Sequence, residues 1–212
     1  MIKLANVNKS FDKRIVLSDI SLSIDKNEFV CITGESGVGK TTLLNIIGLL
    51  DKPDNGEVSL QGKTNFSRKD VLELRRTFFG YIFQDFLLIQ DEIVRENINV
   101  SRQYNKQVTD KDIEDVMEKV KLSVNYLDKK ICYLSGGEQQ KVAIARMMLK
   151  PYELVLADEP TGNLDNENKR EVIEIFKDLK KSGKTIICVT HDKDVSDSAD
   201  RVIHLKNLRA RF

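Results

Sequence analysis

The sequence predicts an α/β fold in which a mainly parallel sheet carries an N-terminal antiparallel β subdomain and an inserted α-helical subdomain. Three short runs are apolar at nearly every position: Phe29–Thr33, Leu154–Ala157 and Thr185–Val189. Such runs are typical of strands that helices cover on both faces of a parallel sheet. Longer amphipathic stretches separate them, and strands that alternate with helices indicate an α/β layer architecture.

The N-terminal part has a different pattern. Apolar and polar side chains alternate from Leu17 to Ile24, which predicts a half-exposed antiparallel strand. Residues from about 85 to 150 are mostly helical in pattern and contain no buried strand. We therefore expect a single domain over residues 1–212, with its core at about 1–84 and 151–212 and its helical subdomain at about 85–150.

The sequence contains capping signals for the ends of two predicted helices. Apolar residues share one face of the stretch from Asp165 to Lys181, where Asp165 is a candidate N-cap and Gly183 is placed to end the helix. Thr109 and Asp112 have the spacing of a capping box before a second amphipathic helix.

The amino-acid composition argues against several classes of protein. The 212 residues are 41% hydrophobic and 32% charged, with a net charge of +1, so neither a disordered chain nor a strongly basic nucleic-acid-binding protein is indicated. The longest apolar stretch, Leu43–Leu50, is far shorter than the ~20 residues of a membrane span, and the first residues lack the apolar core of a secretion signal. We expect a cytoplasmic protein whose membrane role, if any, requires a partner.

The first chemical motif is a glycine-rich segment between a predicted strand and a predicted helix. It fits the pattern G-x-x-x-x-G-K-[ST], in which backbone N–H groups and the helix N-terminus surround phosphate oxygens. The lysine reaches the β- and γ-phosphates, and the threonine hydroxyl is a ligand for Mg²⁺. The predicted nucleotide-binding residues here are Gly34, Glu35, Ser36, Gly37, Val38, Gly39, Lys40, Thr41 and Thr42.

The second motif is a pair of carboxylates at the end of a buried strand. Asp158 and Glu159 directly follow the apolar run that begins at Leu154. A carboxylate in this position is costly unless a cation compensates it, and Mg²⁺ beside Asp158 would do so. Glu159 is then placed to polarise the water that attacks the γ-phosphate.

The third motif precedes another predicted helix, which runs from Gln139 to Leu149. A serine and two glycines at a helix start form a second anion site. One chain with two such sites suggests that two chains share each nucleotide. The residues of this segment are Leu134, Ser135, Gly136, Gly137 and Glu138.

Taken together, these motifs resemble the nucleotide-binding domain of the ATP-binding-cassette (ABC) family over essentially the whole chain. The resemblance implies a P-loop NTPase (RecA-like) core and makes the segment 134–138 the family signature, which binds the γ-phosphate held by the opposite subunit. It further implies that Phe11 stacks on adenine, although phenylalanine at this position would also suit a core. Gln84 corresponds to the glutamine that senses Mg²⁺ and the transporter, and His191 to the switch histidine at the γ-phosphate. The dimer loop would be Asn163, Leu164 and Asp165.

The mechanism implied is that of an ATP-dependent homodimer with ATP and Mg²⁺ as cofactors. Glu159 would be the general base, and His191 and Lys40 would complete the catalytic set. Thr41, Gln84 and Asp158 would hold the metal, and hydrolysis would open the dimer.

The segments 158–165 and 43–53 resemble the branch that contains macrolide-export and lipoprotein-release systems, and bacteriocin or antimicrobial-peptide exporters. We therefore expect an ATPase subunit attached to the inner face of the membrane through a separate integral permease, exporting or releasing a peptide, lipoprotein or drug. Two alternatives stay open. One is a mechanotransmission or signalling module without solute transport, which shares every catalytic motif. The other is a soluble cassette ATPase of DNA repair or translation, whose usual insertions and second cassette this sequence lacks.

Overall fold

The computed structural model describes residues 1–12, 14–162 and 164–208. Strands and α-helices alternate through most of these ranges. The strands are β1 (Ile2–Phe11), β2 (Arg14–Ile24), β3 (Phe29–Thr33), β4 (Asn55–Leu60), β5 (Phe79–Ile82), β6 (Leu154–Asp158), β7 (Thr185–Val189) and β8 (Arg201–His204). The α-helices are α1 (Lys40–Ile47), α2 (Arg68–Thr77), α3 (Val94–Asn99), α4 (Asp110–Lys119), α5 (Gly136–Met148), α6 (Asn166–Lys181), α7 (Lys193–Asp197) and α8 (Leu205–Leu208). Short 3-10 turns span Val100–Gln103, Val124–Tyr126 and Ile131–Tyr133.

The larger sheet is parallel and has the strand order β5-β6-β7-β3-β8. Its three central strands are the three apolar runs found in the sequence, and every residue of β6 and β7 is buried. The carboxyl ends of all its strands lie at one edge, because the strands are parallel. The predicted α/β fold is confirmed.

The smaller sheet is antiparallel, with the order β2-β1-β4. Its alternating pattern follows from one buried face: Ile2 pairs with Ile24 and with Leu60, and all three side chains lie in the core. The predicted antiparallel strand at Leu17–Ile24 is present and begins three residues earlier, at Arg14.

Two apolar cores lie on either side of the parallel sheet. One lies between this sheet, α1 and the antiparallel sheet. The other lies between the opposite face of the sheet and helices α3 to α7, where Phe29 meets Phe176 edge to face at 6.0 Å. A strand alternates its side chains between faces, so β3 supplies Phe29 and Cys31 to one core and Val30 and Ile32 to the other.

The helix ends follow the predicted chemistry. Thr109 and Asp112 form the expected capping box, and the Asp165 carboxylate accepts a hydrogen bond from the backbone N–H of Asn168 at the start of α6. Gly183, with φ of +88°, follows the end of this helix. Helix α5 begins at Gly136 rather than at Gln139, because Ser135 caps it. Within the described ranges, no helix combines the length and apolarity that crossing a membrane requires.

Candidate functional site

Four neighbouring strands of the parallel sheet end in the residues that the sequence motifs single out. Gln84 follows β5, Asp158 ends β6, His191 follows β7, and Gly34 follows β3. These strands lie in the order β5-β6-β7-β3, although the chain visits them in a different order. Because adjacent strands are about 4.8 Å apart, the four strand ends form one row along the edge of the sheet.

The glycine-rich loop leads from β3 into α1 and holds its lysine in place. Lys40 Nζ donates hydrogen bonds to the backbone oxygens of Gly34, at 2.9 Å, and Glu35, at 3.1 Å. Gly39 has φ of +102°, and a Cβ there would lie 2.8 Å from the Val16 side chain. The N-cap residue of α1 is Gly39, which has no side chain to bind the first N–H groups of the helix, so these groups suit an anion.

Thr41 and Asp158 bring two hard oxygen ligands together beside this loop. The Thr41 hydroxyl donates to Asp158 Oδ1 at 3.2 Å. The Asp158 side chain is buried, and burial raises the pKa of its carboxyl above the usual value, while the hydrogen bond from Thr41 acts in the opposite direction. A buried carboxylate beside a hydroxyl suits Mg²⁺, which prefers oxygen ligands and would compensate the charge.

Glu159 and His191 form a second pair at the same edge. Glu159 Oε2 lies 3.0 Å from His191 Nδ1 and accepts a hydrogen bond from the His191 backbone N–H at 3.3 Å. The glutamate side chain is 14% exposed, whereas that of His191 is 71% exposed. Glu159 has φ of +45°, a conformation that costs a non-glycine residue roughly 1–2 kcal/mol. Such strain often marks a functional position.

The segment 134–138 forms a separate helix start. Ser135 Oγ accepts from the Glu138 N–H at 3.3 Å, and Glu138 Oε2 accepts from the Ser135 N–H at 2.7 Å, which is a reciprocal capping box. A Cβ on Gly137 would lie 2.3 Å from Asn168 Cγ, so any larger residue between α5 and α6 must displace the Asn168 side chain. Leu134 is buried, and Gly136 is the first residue of the helix.

The other predicted residues have no hydrogen bond or ion pair to the glycine-rich loop within the described part of the chain. Phe11, at the end of β1, is 48% exposed with Lys9 Nζ 5.1 Å from its ring centroid. Gln84 is exposed, and Asp165 caps α6 after the half-buried Leu164. In the described ranges, no hydrogen bond or ion pair joins Phe11, Gln84 or the segment 134–138 to the glycine-rich loop. Asn163, the first residue of the predicted dimer loop, lies outside the described residues.

Two features near the site were not predicted from the sequence. Asp192, which directly follows His191, accepts a hydrogen bond from the Thr161 hydroxyl at 3.1 Å and forms an ion pair with Lys169 at 2.8 Å. Asn168 occupies the space beside Gly137. The position of Asp192 next to His191 was a usable signal, but Asn168 is 31 residues from Gly137 and no sequence pattern connects them.

Known proteins resemble this chain in both sequence and fold. The family model described as ABC transporter matches residues 17–162. The macrolide export ATP-binding/permease protein MacB of Chlorobaculum tepidum is 42% identical over 217 residues, which cover 98% of this chain and 33% of that protein. The chain thus spans about a third of the length of the curated relatives that it matches.

Solved structures match over nearly their full length. The dimeric structure of MJ0796, a bacterial ABC transporter cassette, has a TM-score of 0.88 and 35% identity over 96% of this chain and 94% of that one. A post-hydrolysis dimer of MJ0796 bound to ADP and Pi has a TM-score of 0.87 and 34% identity over the same shares. The chain therefore belongs to the ABC transporter family and is an ATP-hydrolysing cassette of that family.

Proposed function

We propose that the chain is a Mg²⁺-dependent ATPase that works as an ATP-closed homodimer and drives export through a membrane permease. The observation that carries this proposal is the row of strand ends, where the loop holding Lys40 stands beside the Thr41–Asp158 pair and the Glu159–His191 pair. Each pair matches one requirement of phosphoryl transfer: charge compensation and activation of water.

In the proposed binding mode, the γ-phosphate replaces the carbonyl oxygens of Gly34 and Glu35 as partners of Lys40. The N–H groups of the loop and of α1 bind the remaining phosphate oxygens. Phe11 supplies a flat apolar surface for adenine, and its exposed ring is free to stack.

Thr41 and Asp158 would hold Mg²⁺, with Gln84 as a further ligand. When bound, the metal supplies positive charge at the β- and γ-phosphates. The residues present fit it, because both of the paired groups are hard oxygen donors and the Asp158 carboxylate is buried with little compensation.

The chemical step assigned to the chain is removal of a proton from water by Glu159. Its carboxylate is oriented by the imidazole Nδ1 and by the backbone N–H of His191. His191 keeps most of its surface exposed and is free to contact the γ-phosphate. This division gives Glu159 the role of general base and His191 that of a positioning group.

The proposal of a homodimer is supported by the presence of two candidate anion sites in one chain. Ser135 and Gly137 lie at a helix start that has no bond to the glycine-rich loop in the described ranges, so a nucleotide bound at the loop would meet these residues from a second chain. The dimeric MJ0796 structures support this arrangement. The loop at 163–165 would then lie at the subunit interface.

The division of labour within the chain is also a proposal. A core at about 1–84 and 151–212 would hold the nucleotide, and a helical subdomain at about 85–150 would carry the signature segment. Along the chain, helices α3 to α5 all follow β5 and precede β6, which supports these limits.

Export is supported by the relatives, whose name joins an ATP-binding part to a permease and specifies macrolide export. For this chain we propose a permease partner at the inner face of the membrane and a peptide, lipoprotein or drug as cargo, with bacteriocin export as one candidate. Leu87 and Ile89, which follow Gln84, are more than half exposed and offer an apolar contact for that partner.

The Glu159→Gln variant tests the site and the dimer together. It keeps the shape of the side chain but removes the base, so we expect ATP binding to persist and kcat to fall about 10²- to 10⁴-fold. Sedimentation should show a dimer with ATP that is absent with ADP. Lys40→Ala is the control, because it should lose both ATP binding and the dimer. A Lys40→Ala protein with normal hydrolysis, or a Glu159→Gln protein that stays monomeric with ATP even beside its permease, would contradict the proposal.

The export assignment needs a separate test. The Glu159→Gln protein should be purified with ATP from gently solubilised native membranes and its companions identified. Recovery of an integral membrane permease, and ATP-dependent release of a cargo by the reconstituted complex, supports export. ATPase activity with a permease that moves no cargo would favour signalling instead.

A further inference from the structure

The turn that follows Gln84 contains an unusual backbone conformation. Phe86 has φ of +58° and Leu87 has φ of +50°, so two consecutive non-glycine residues lie in the left-handed region. Bulky side chains disfavour this conformation, and a pair in succession persists only where the surroundings hold it. Local backbone bonds help, since the Leu87 N–H donates to Asp85 O at 2.5 Å and the Phe86 N–H to Phe83 O at 3.1 Å.

One guanidinium holds both strained residues. Arg146 Nη1 donates to the backbone oxygen of Leu87 at 2.6 Å, and Nη2 donates to that of Phe86 at 3.0 Å. Within the described ranges Arg146 forms no ion pair, and burial lowers the pKa of its guanidinium. A planar fork of donors matches two neighbouring carbonyl oxygens, whereas the point charge of a lysine does not.

Arg146 lies in the last turn of α5, the helix whose first turn carries the signature segment. The backbone oxygen of Arg146 is itself held by the Ser101 hydroxyl at 2.5 Å. Ser135 therefore lies at the beginning of one rigid helix and Arg146, which binds the turn after Gln84, lies near its end, about 17 Å away at 1.5 Å per residue.

Further hydrogen bonds attach Ile89 and Gln90, which follow the strained turn, to the helical part of the chain. The buried Asn97 side chain accepts from the Ile89 N–H at 2.7 Å and donates to Ile89 O at 3.1 Å. Gln90 Nε2 donates to Gln139 Oε1 at 3.1 Å, at the start of α5. Gln84 itself follows β5 of the parallel sheet, so the change from sheet to helical part falls between Gln84 and Phe86.

We propose that Arg146 is a positioning residue for Gln84. Its fork fixes the strained Phe86–Leu87 turn and so makes the direction of Gln84 depend on the position of helix α5. A displacement of the signature segment by nucleotide would thereby reach Gln84 along one helix. This inference rests on the proposed role of Gln84 as a Mg²⁺ ligand.

The test is a double-variant cycle in the full chain with its permease. Arg146→Lys keeps the charge but loses the fork, and we expect kcat to fall at least about 10-fold while KM for ATP stays within about twofold. The Mg²⁺ concentration for half-maximal activity should rise about 10-fold. In a Gln84→Ala background, Arg146→Lys should add less than about twofold, because both changes act on one element. Arg95→Lys, the same change at a surface ion pair with Asp128, is the matched control and should leave all values unchanged.

A second variant covers the case in which Arg146→Lys does not fold. Leu87→Pro alters an exposed side chain and cannot adopt a positive φ, so it removes the turn directly. It should reproduce the loss of kcat and the higher Mg²⁺ requirement, whereas Leu87→Ala, which removes the same exposed side chain but keeps the turn, should not. Independent, multiplicative effects of Arg146→Lys and Gln84→Ala, or a lower melting temperature with unchanged kcat and Mg²⁺ dependence, would overturn the inference. Absence of Mg²⁺-dependent hydrolysis in the wild type would instead refute the proposed function.

Discussion

The contact between Gly137 and Asn168 allows a quantitative prediction for Gly137→Ala. The new Cβ would lie 2.3 Å from Asn168 Cγ, 2.5 Å from Nδ2 and 2.6 Å from Oδ1. Carbon atoms in contact prefer about 3.5–4.0 Å, so one partner must move by more than about 1 Å. Asn168 cannot easily yield, because its Nδ2 donates to Asp165 Oδ2 at 2.7 Å.

Two separate losses follow from this displacement. Overpacking costs about 1–3 kcal/mol, which in a chain of this length lowers the melting temperature by roughly 2–12 °C. Moving the start of α5 by about 1 Å misplaces Ser135 and should reduce kcat about 100-fold. Binding of ATP to the glycine-rich loop of the isolated chain should be unchanged, because α5 makes no bond to that loop in the described ranges.

Calorimetry, steady-state hydrolysis and binding of a fluorescent ATP analogue measure the three quantities on one preparation. Asn168→Ala is the control, since it opens space for the new methyl group. The Gly137→Ala/Asn168→Ala protein should therefore recover most of the lost melting temperature. Wild-type stability and kcat in Gly137→Ala alone, or a double variant as impaired as the single one, would refute the steric argument.

Three further predictions concern single side chains. Phe11→Ala should weaken ATP binding about 10- to 100-fold, because base stacking contributes about 1–3 kcal/mol. The melting temperature should not change, because the ring is half exposed. Equilibrium titration with ATP measures the loss of binding, and Phe11→Tyr is the control. Asp158→Asn should leave the free energy of unfolding of the nucleotide-free protein at pH 7 unchanged or higher, because burial raises the pKa of this carboxyl and so disfavours its ionised form. Mg²⁺-dependent hydrolysis by the same variant should fall roughly 100-fold. Denaturant titration measures the first effect and an activity assay the second. Burial lowers the pKa of Lys150 to about 8, so the unfolded chain binds the extra proton and the free energy of unfolding should rise from pH 8 to 10 by at most about 1.4 kcal/mol per pH unit. Lys150→Met should flatten this rise. Burial raises the pKa of Tyr152 to about 12, so this residue opposes the rise from about pH 10, where the tyrosine of the unfolded chain ionises and that of the folded chain does not.

The sequence predicted the elements whose pattern is strong and local. The central strands β3, β6 and β7 are continuous apolar runs, and their limits agree with the structure to within one residue. Helix α6 was predicted with its N-cap at Asp165, because the cap and the apolar face lie in one short stretch. By contrast, β4, β5, β8 and α2 were not assigned individually, because they are short and their stability depends on neighbours distant in sequence.

In the candidate site, too, features that are local in sequence could be predicted and contacts between distant residues could not. The glycine-rich loop, Asp158 and Glu159 could be predicted, since each follows directly from a strand. The fork from Arg146 to Phe86 and Leu87 could not, because the partners are about 60 residues apart and the strained φ angles have no glycine to signal them. Nor could the contact of Gly137 with Asn168, which depends on how closely α5 approaches α6.

The row of strand ends has a consequence for how the cassette tolerates sequence change. Its lateral repeat of about 4.8 Å is set by main-chain hydrogen bonds, which are the same for every side chain. A substitution that enlarges or shrinks a core residue moves a helix against the sheet and leaves the distances along the row nearly constant. The spacing of the chemical groups therefore depends on the backbone and not on the core side chains. The sequence of the hydrophobic core can then change without altering that spacing. What must stay fixed is the main-chain pairing that seats β6 between β5 and β7, and an inserted residue there would do more damage than many core replacements.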